Sequence, residues 1–342
     1  MTNRDDHITA DVRDVLDGIG HLPVHEPPPD IWRGIERELD RAHVRPRRRF
    51  ASVAAIAAAA LLIVSASSYV LGVSRSSWGI ERVAGTPTVG ARTIAMTGTL
   101  GEGEWLETDA SSRARIAIGT LGSADVGPGS RIKLVRAGGT EHALRVERGS
   151  IDARVWAPPR FFLVETPAAT AVDLGCIYTL QVDEAGNGVL LVRSGQVELR
   201  GHGRASIVVA GTAAEMREGA GPGTPYDASE GSAFREALVA IDFGDGQTNE
   251  AVDRLLAIAN ARSTITLWHL LSRVDGDERA RVYERLATLS APPRGVMRDA
   301  VLALDKRALS RWRASLEPSW STERVRLWKR AWRAVWSVAR GE

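Results

Sequence analysis

The chain almost lacks cysteine. Cys176 is the only one in 342 residues, so no disulfide can form within the chain and cysteine clusters that hold zinc are excluded. The seven histidines are scattered; His21 and His25 alone have His-x-x-x-His spacing, with the helix breaker Pro23 between them, and no His-Glu-x-x-His pair occurs. A Walker loop, a nucleophile elbow and a dinucleotide fingerprint are also absent. These absences predict a protein that is not an enzyme and that has no catalytic residues, metal site or cofactor.

One polar segment, DFGDGQTNE at 242–250, has a composition typical of calcium-binding loops. Its oxygen-bearing side chains do not follow the spacing of an EF-hand loop. The segment is therefore interpreted as a polar loop, with calcium binding as the alternative.

Charged residues are absent from 50–74, FASVAAIAAAALLIVSASSYVLGVS. A membrane-spanning helix needs ~20 apolar residues, so the run predicts one transmembrane helix, with a buried core helix or a signal peptide as alternatives. Basic residues are enriched on the cytoplasmic side of a transmembrane helix. Five arginines lie directly before the run 50–74: Arg41, Arg45, Arg47, Arg48 and Arg49. The pattern predicts a bacterial inner-membrane protein with a cytoplasmic N-terminus and periplasmic C-terminal domains.

Residues 1–49 form the predicted cytoplasmic tail. Residues 1–40 carry ten acidic and four basic side chains, and two short helical patterns occur within them. The second pattern follows a Pro-Pro-Pro turn and places four apolar residues on one side: Ile31, Trp32, Ile35 and Leu39. Helices this short are marginal alone. We therefore expect this stripe to be a partner-binding face, with a solvated tail as the alternative.

From 78 to 217 the apolar residues alternate with polar ones, as in SRIKLVRA and GSIDARVWA, and turn signals recur. This pattern predicts an antiparallel sandwich or roll. The segments ALRVERGSIDAR (143–154) and VLLVRSGQVELR (189–200) align without gaps, with Gly149 matching Gly195. We interpret them as two related hairpins stacked in one core, each glycine forming a tight turn or bulge.

Cys176 lies in the strand-like run VETPAATAVDLGCIYTLQVD. Strand alternation places it on the apolar side with Tyr178, Leu180 and Val182. A buried free cysteine behaves as a small hydrophobe, whereas a reactive thiol needs a basic or histidine-rich neighbourhood. The pattern predicts that Cys176 is a packing residue.

Residues 218–231 have the composition of a linker, and helical patterns fill 232–342. The expected helices are 251–261, 277–289, 292–304 and 322–339. The last one carries a basic face and a second candidate contact face, which is formed by Trp328, Trp332 and Trp336. That stripe could pack within its own domain or contact a membrane or a partner. The fold expected for the whole chain is α+β and multi-domain: the β sandwich, one transmembrane helix and an all-α C-terminal domain.

Six motif pieces follow one another between residues 95 and 217: GEGEWLET, ARIAIG, VGPGSRIKL, LRVERGSIDARV, FFLVETPAATAVDLGCIYTLQVD and VLLVRSGQVEL. In this order they resemble the running pattern of the FecR domain. Where the family usually has Gly-Thr before an aromatic, this chain has Gly175-Cys176. The tail lacks the usual N-terminal pattern of the family, and the C-terminal region is helical rather than a small α/β module.

The resemblance implies a single-span, membrane-anchored regulator that relays an envelope signal to a cytoplasmic partner. That partner would be an extracytoplasmic-function sigma factor bound by the tail, and a periplasmic or outer-membrane protein would bind the β or helical domain. Nucleic acid is not expected as a partner. The alternative is an envelope adaptor that binds periplasmic proteins or polymers without sigma control.

Overall fold

A computed structural model describes residues 77–138, 141–156, 160–173, 175–244 and 248–320. The predicted tail with its stripe Ile31, Trp32, Ile35 and Leu39 lies outside these ranges. So do the charge-free run 50–74 and the tryptophan stripe Trp328, Trp332 and Trp336.

Strands fill the first part of the described chain because apolar and polar residues alternate there. In β6, RARIAI, every second side chain is buried. The strands are β1 (Ser77–Ala84), β2 (Thr88–Val89), β3 (Arg92–Thr93), β4 (Thr97–Gly101), β5 (Trp105–Glu107), β6 (Arg113–Ile118), β7 (Gly122–Val126), β8 (Arg131–Gly138), β9 (Glu141–Val155), β10 (Phe162–Glu165), β11 (Thr170–Asp173), β12 (Ile177–Val182), β13 (Gly188–Ser194), β14 (Gln196–Gly201), β15 (Arg204–Val209), β16 (Thr212–Arg217), β17 (Gly221–Pro222) and β18 (Tyr226–Asp227).

The strands form two sheets joined by the long strand β9. The first sheet has the order β4-β1-β6-β7-β9-β12-β13-β16, and both β17 and β18 pair with the far side of β16. The second has the order β3-β2-β5-β8-β9-β10-β11-β14-β15. One hydrophobic core collects buried side chains from both sheets, including Ile132, Leu134 and Ile151, which the alternation had predicted to be buried.

The internal repeat is a strand that changes sheets, so the predicted pair of hairpins is wrong. Before Gly149 the chain pairs with β8 and β10 in the second sheet, and from Gly149 onward it pairs with β7 and β12 in the first. In the other copy, β13 belongs to the first sheet and β14, directly after Gly195, to the second. Both glycines have positive φ, 97° and 84°, a backbone region that glycine reaches without steric cost.

The expectation of a wholly antiparallel sheet is corrected by β10, which runs parallel to the first half of β9. Parallel neighbours need a crossover connection. Here the second half of β9 lies in the other sheet, so the chain leaves the second sheet and re-enters it in the same direction. The result is a mixed sheet.

Six α-helices follow in the described part of the chain: α1 (Ser232–Phe243), α2 (Thr248–Ile258), α3 (Thr264–Leu270), α4 (Gly276–Leu289), α5 (Arg298–Leu302) and α6 (Lys306–Trp320). A 3₁₀ turn, Ala261–Ser263, precedes α3. Amphipathic spacing explains them: α6 buries Ala308, Trp312, Leu316 and Trp320, each four residues apart. The expected helices at 251–261 and 277–289 correspond to α2 and α4. Of the expected helix 292–304 only Arg298–Leu302 is helical, as α5, so the predicted start at Pro292 is wrong. The helices α1, α3 and α6 were not anticipated.

The predicted membrane span, which was part of the expected fold class, is corrected. No helix among the described residues is long and apolar enough to cross a membrane. A span needs ~20 apolar residues, and the long helix α6 has 15 residues with several basic side chains among them. Residues 50–74 lie outside the described ranges. The placement in a bacterial inner membrane, with periplasmic C-terminal domains, is therefore not supported and is withdrawn.

Candidate functional site

The helices join the strands along β15, β16 and β18. Val209, Ala213 and Tyr226 of these strands are buried in a second hydrophobic core together with Phe234 and Leu238 of α1. Segment 218–231, which was expected to be a linker, contains β17 and β18, and both pair with β16. The junction is therefore a packed interface.

A buried polar cluster of Ser206, Thr224, Asp242 and Arg273 lies within this interface. The backbone N–H of Thr224 donates to Asp242 Oδ2 at 2.6 Å, and the Thr224 hydroxyl donates to Oδ1 at 2.9 Å. Arg273 Nη1 lies 3.3 Å from Asp242 Oδ1, and Nη2 donates to Ser206 Oγ at 2.7 Å. The cluster thus connects α1, the segment after α3, and β15.

The Asp242–Arg273 pair is almost fully buried: their side chains are 2% and 8% exposed. Burial raises the pKa of Asp242 above its usual value, while Arg273 and the Thr224 hydrogen bonds act in the opposite direction. Burial likewise lowers the pKa of Arg273. Removing one partner from such a pair leaves an uncompensated buried charge. The resulting loss in the free energy of unfolding is much larger than the amount that an exposed ion pair contributes to it. The cluster therefore depends on the helices and strands staying together.

Arg273 also donates to backbone oxygens of the strand segment. Its Nη1 donates to Pro222 O at 2.9 Å and its Nη2 to Gly223 O at 3.3 Å. A guanidinium has five N–H donors in a planar fork, so one side chain can satisfy several acceptors. These contacts connect the end of β17 and Gly223 to the segment that follows α3.

An open groove of about 410 Å³ runs between β16 and α1. Glu215 and Arg217 line its strand side, and its helix side includes Arg235, Val239 and Phe243. The Arg217 guanidinium lies 4.9 Å from the centre of the Phe243 ring, a cation–π distance. The groove thus combines both signs of charge with a partly apolar wall.

Tyr226 lies beside this groove. Its hydroxyl donates to Glu215 Oε1 at 3.3 Å. Burial, with a smaller effect from the negative charge of Glu215, raises the pKa of Tyr226 to about 12. The phenol therefore stays protonated and serves as a hydrogen-bond donor, because losing its proton would put a second negative charge next to Glu215.

Sequence reasoning missed Asp242, which it had assigned to a polar loop. The residue ends a buried stripe on α1 formed by Phe234, Leu238 and Asp242, each four residues apart. A carboxylate at a buried helical position needs a cationic or hydrogen-bonding partner, and that spacing was the available signal. Because its carboxylate is bound by Thr224 and Arg273, Asp242 has a structural role here. Among the described residues, no group of three or more His, Cys, Asp or Glu side chains could hold a metal ion.

No family model matches the chain, and no curated protein matches its sequence. Two crystal structures of a candidate anti-sigma factor from Parabacteroides distasonis are similar to part of it. Each is 14% identical, with a TM-score of 0.32 over 40% of this chain; the match covers 64% of one solved chain and 63% of the other. The chain thus spans less than two thirds of the length of these structures.

Cys176 is confirmed as a packing residue. It is 2% exposed and belongs to the core between the sheets. Its Sγ donates to the backbone oxygen of Gln196 at 2.7 Å. Ser130 has a related role near Gly149, where β9 passes from one sheet to the other. The Ser130 Oγ accepts from the N–H of Ser150 at 3.0 Å. A small polar side chain thus bonds the residue that follows each crossing glycine, Gly149 or Gly195.

Proposed function

We propose that this protein is a regulator that acts by protein–protein interaction, with a sigma factor as the partner of residues 1–49. The order of the six FecR-like pieces is the observation that carries the proposal. They occupy successive parts of the strand region: the β4–β5 connection, β6, the β7–β8 connection, β9, the run from β10 to β12, and β13 with β14.

The positions of the glycines within these pieces support the same interpretation. Gly149 and Gly195 lie where the chain passes from one sheet to the other, and a Cβ on Gly195 would lie 2.3 Å from Gly175 O. These motif glycines are therefore needed by the backbone path. Because the motif glycines Gly149 and Gly195 lie where the chain passes between the two sheets, the sequence pattern favours a FecR-like β region. The family resemblance in turn implies sigma-factor regulation.

We take the mode of action to be binding rather than catalysis. At the interface of strands and helices two acidic side chains are held by neighbouring groups: Asp242 by Arg273, and Glu215 by the Tyr226 hydroxyl. Such pairs hold elements together, whereas a catalytic acid or base must reach a substrate. The second partner, whose binding would control the first, would contact the β or helical region.

The proposal is tested on the stripe Ile31, Trp32, Ile35 and Leu39. If this stripe docks in an apolar groove of a sigma factor, Trp32 is the expected hot spot, where truncation costs ~2 kcal/mol or more. Trp32→Ala in the full chain should weaken binding of an extracytoplasmic-function sigma factor from the same genome at least ~10-fold, since ~1.4 kcal/mol equals one decade. The measurement is a titration by calorimetry or fluorescence anisotropy.

Arg37→Ala is the matched control, because helical spacing puts Arg37 on the side opposite the stripe. It should bind like the wild type. Equal affinity of all three proteins would remove the stripe from the mechanism. No binding by any of them at micromolar concentration would reject sigma regulation and leave the adaptor function.

A further inference from the structure

His269 of α3 forms a direct contact with the edge of a sheet. Strand β15 pairs with β14 on one side. On its other side the backbone N–H of Ile207 donates to His269 Nε2 at 3.1 Å. An unpaired N–H at a strand edge needs a partner when it is buried, and the imidazole supplies it. One ring therefore connects the helical region to the strand region.

This contact requires one protonation state of the ring. His269 Nδ1 lies 2.9 Å from the Ile265 carbonyl oxygen, so this nitrogen carries the proton and donates. Nε2 must then carry a lone pair to accept from Ile207. A doubly protonated ring would place an N–H donor against the Ile207 N–H. The hydrogen bond to β15 and the imidazolium form therefore exclude each other.

The charges around the ring also disfavour a second proton. His269 is 4% exposed, and the positive side chains of Arg273 and Arg313 act on it. Arg273 pairs with Asp242, whose backbone oxygen accepts from Arg204, and Arg313 pairs with Glu317 at 3.7 Å. Of the charged groups that α1, β15, α6 and the segment after α3 supply, Arg273 and Arg313 act on the ring. Burial is the main cause that lowers the pKa of His269 to about 3.

We propose that His269 makes the docking of the helical region on β15 acid-sensitive, so that protonation of the ring releases α3 from the strand edge. Between pH 6.5 and about 3 the docked state binds fewer protons at this site than the released state. The contribution of His269 to docking is therefore fully present above pH 6.5 and is lost as the pH falls toward about 3, because the released state binds the proton more tightly than the docked state. For one site the docking equilibrium changes ~10-fold for each pH unit.

Hydrogen exchange of the full chain, read by mass spectrometry, tests the proposal. Between pH 6.5 and 5, after correction for the intrinsic exchange rate, amides in 264–320 should lose protection relative to a non-titrating variant, with a slope that approaches ~10-fold per pH unit. That variant is His269→Gln, whose side-chain oxygen can accept from Ile207 and cannot gain a proton in this range. Asp242 titrates in the opposite sense, and comparison with this variant cancels its effect.

His202→Asn is the matched control. His202 is exposed at the β14–β15 turn and has φ of 48°, a conformation that asparagine tolerates. This variant should keep the acid dependence of the wild type. The same acid dependence in wild type and His269→Gln would overturn the proposal.

A second measurement needs no substitution and stays decisive if His269→Gln does not fold. Nitrogen NMR of the wild-type ring should show a neutral imidazole, protonated at Nδ1, from pH 7 down to the pH at which α3 loses protection. A ring that gains its second proton near pH 6 while α3 stays protected would contradict the mechanism.

Discussion

Gly195 shows at the scale of one residue why the chain can change sheets. Its φ is +84°, and a Cβ there would lie 2.3 Å from Gly175 O and 3.0 Å from Cys176 Cα. Gly203 also has positive φ, +73°, but a Cβ on it would meet nothing within 4 Å. Alanine variants at these two positions therefore distinguish two effects on the free energy of unfolding: the left-handed backbone conformation, which both positions share, and the close approach, which only Gly195 has.

We expect Gly203→Ala to lower the free energy of unfolding by about 1–2 kcal/mol, the usual cost of a left-handed residue with a Cβ. Gly195→Ala should lower it by about 3 kcal/mol or more, because the backbone must also move apart. Urea unfolding of both variants measures the difference. Equal losses would mean that the approach of Gly175 and Cys176 to Gly195 is not tight.

Cys176 gives a second prediction at this scale. Because the thiol is buried in the core, a thiol reagent should modify the native protein slowly and the unfolded protein at once. Cys176→Ala should reduce the free energy of unfolding by ~1 kcal/mol, from the lost buried volume. Labelling is followed by mass spectrometry in the presence and absence of urea. Rapid labelling of the native chain would contradict the packing role of Cys176.

At the scale of elements, the Asp242–Arg273 pair holds α1 and the segment after α3 to the strands. Arg273→Ala leaves the Asp242 carboxylate buried without its cation, and removing one partner of such a pair typically costs ~3–5 kcal/mol. We therefore expect Arg273→Ala to lower the free energy of unfolding by about that amount. Denaturant unfolding at neutral pH measures it.

Arg298→Ala is the comparison for this variant. Arg298 Nε lies 2.8 Å from Glu284 Oε1, closer than the atoms of the buried pair, but its side chain is 48% exposed. Exposed pairs contribute ~0–1 kcal/mol, so this variant should be nearly as stable as the wild type. Losses of the same size in both variants would indicate that burial is not what makes Arg273 important.

At the scale of the whole described molecule, strands and helices share the second core. Val209, Ala213 and Tyr226 of the strands are buried there against α1 and α3. A fragment of residues 77–320 should therefore unfold in one cooperative transition at neutral pH, with equal calorimetric and van't Hoff enthalpies. Two separate transitions would show that the helical region is an independent domain.

Truncation gives the matching prediction for the strand region alone. A fragment of residues 77–231 would expose Val209, Ala213 and Tyr226 to water. Burial contributes ~25 cal/mol for each Å² of apolar surface, so the shorter fragment should melt at a lower temperature than 77–320. Differential scanning calorimetry of the two fragments measures the shift, and equal melting temperatures would contradict the shared core.

Local patterns determined which side chains are buried. Alternation along a strand specifies one face, so the burial of Ile132, Leu134, Ile151 and Cys176 could be predicted without knowing any partner strand. The same reasoning located α2 and α4, whose apolar residues recur with helical spacing. It did not anticipate α1, because the buried stripe of that helix ends on a carboxylate.

Tertiary structure alone decided which segments pair. The sequence placed Gly149 and Gly195 at equivalent points of a repeat, but a positive-φ glycine suits a tight turn and a crossing between sheets equally well. The parallel partner of β9 and the Asp242–Arg273 contact across 31 residues likewise involve groups distant in sequence. The local sequence determines whether a residue prefers to be buried and which backbone conformation it can adopt. The partner of a buried charge, or of an unpaired backbone group at a strand edge, comes from another part of the chain, so only the tertiary structure identifies it.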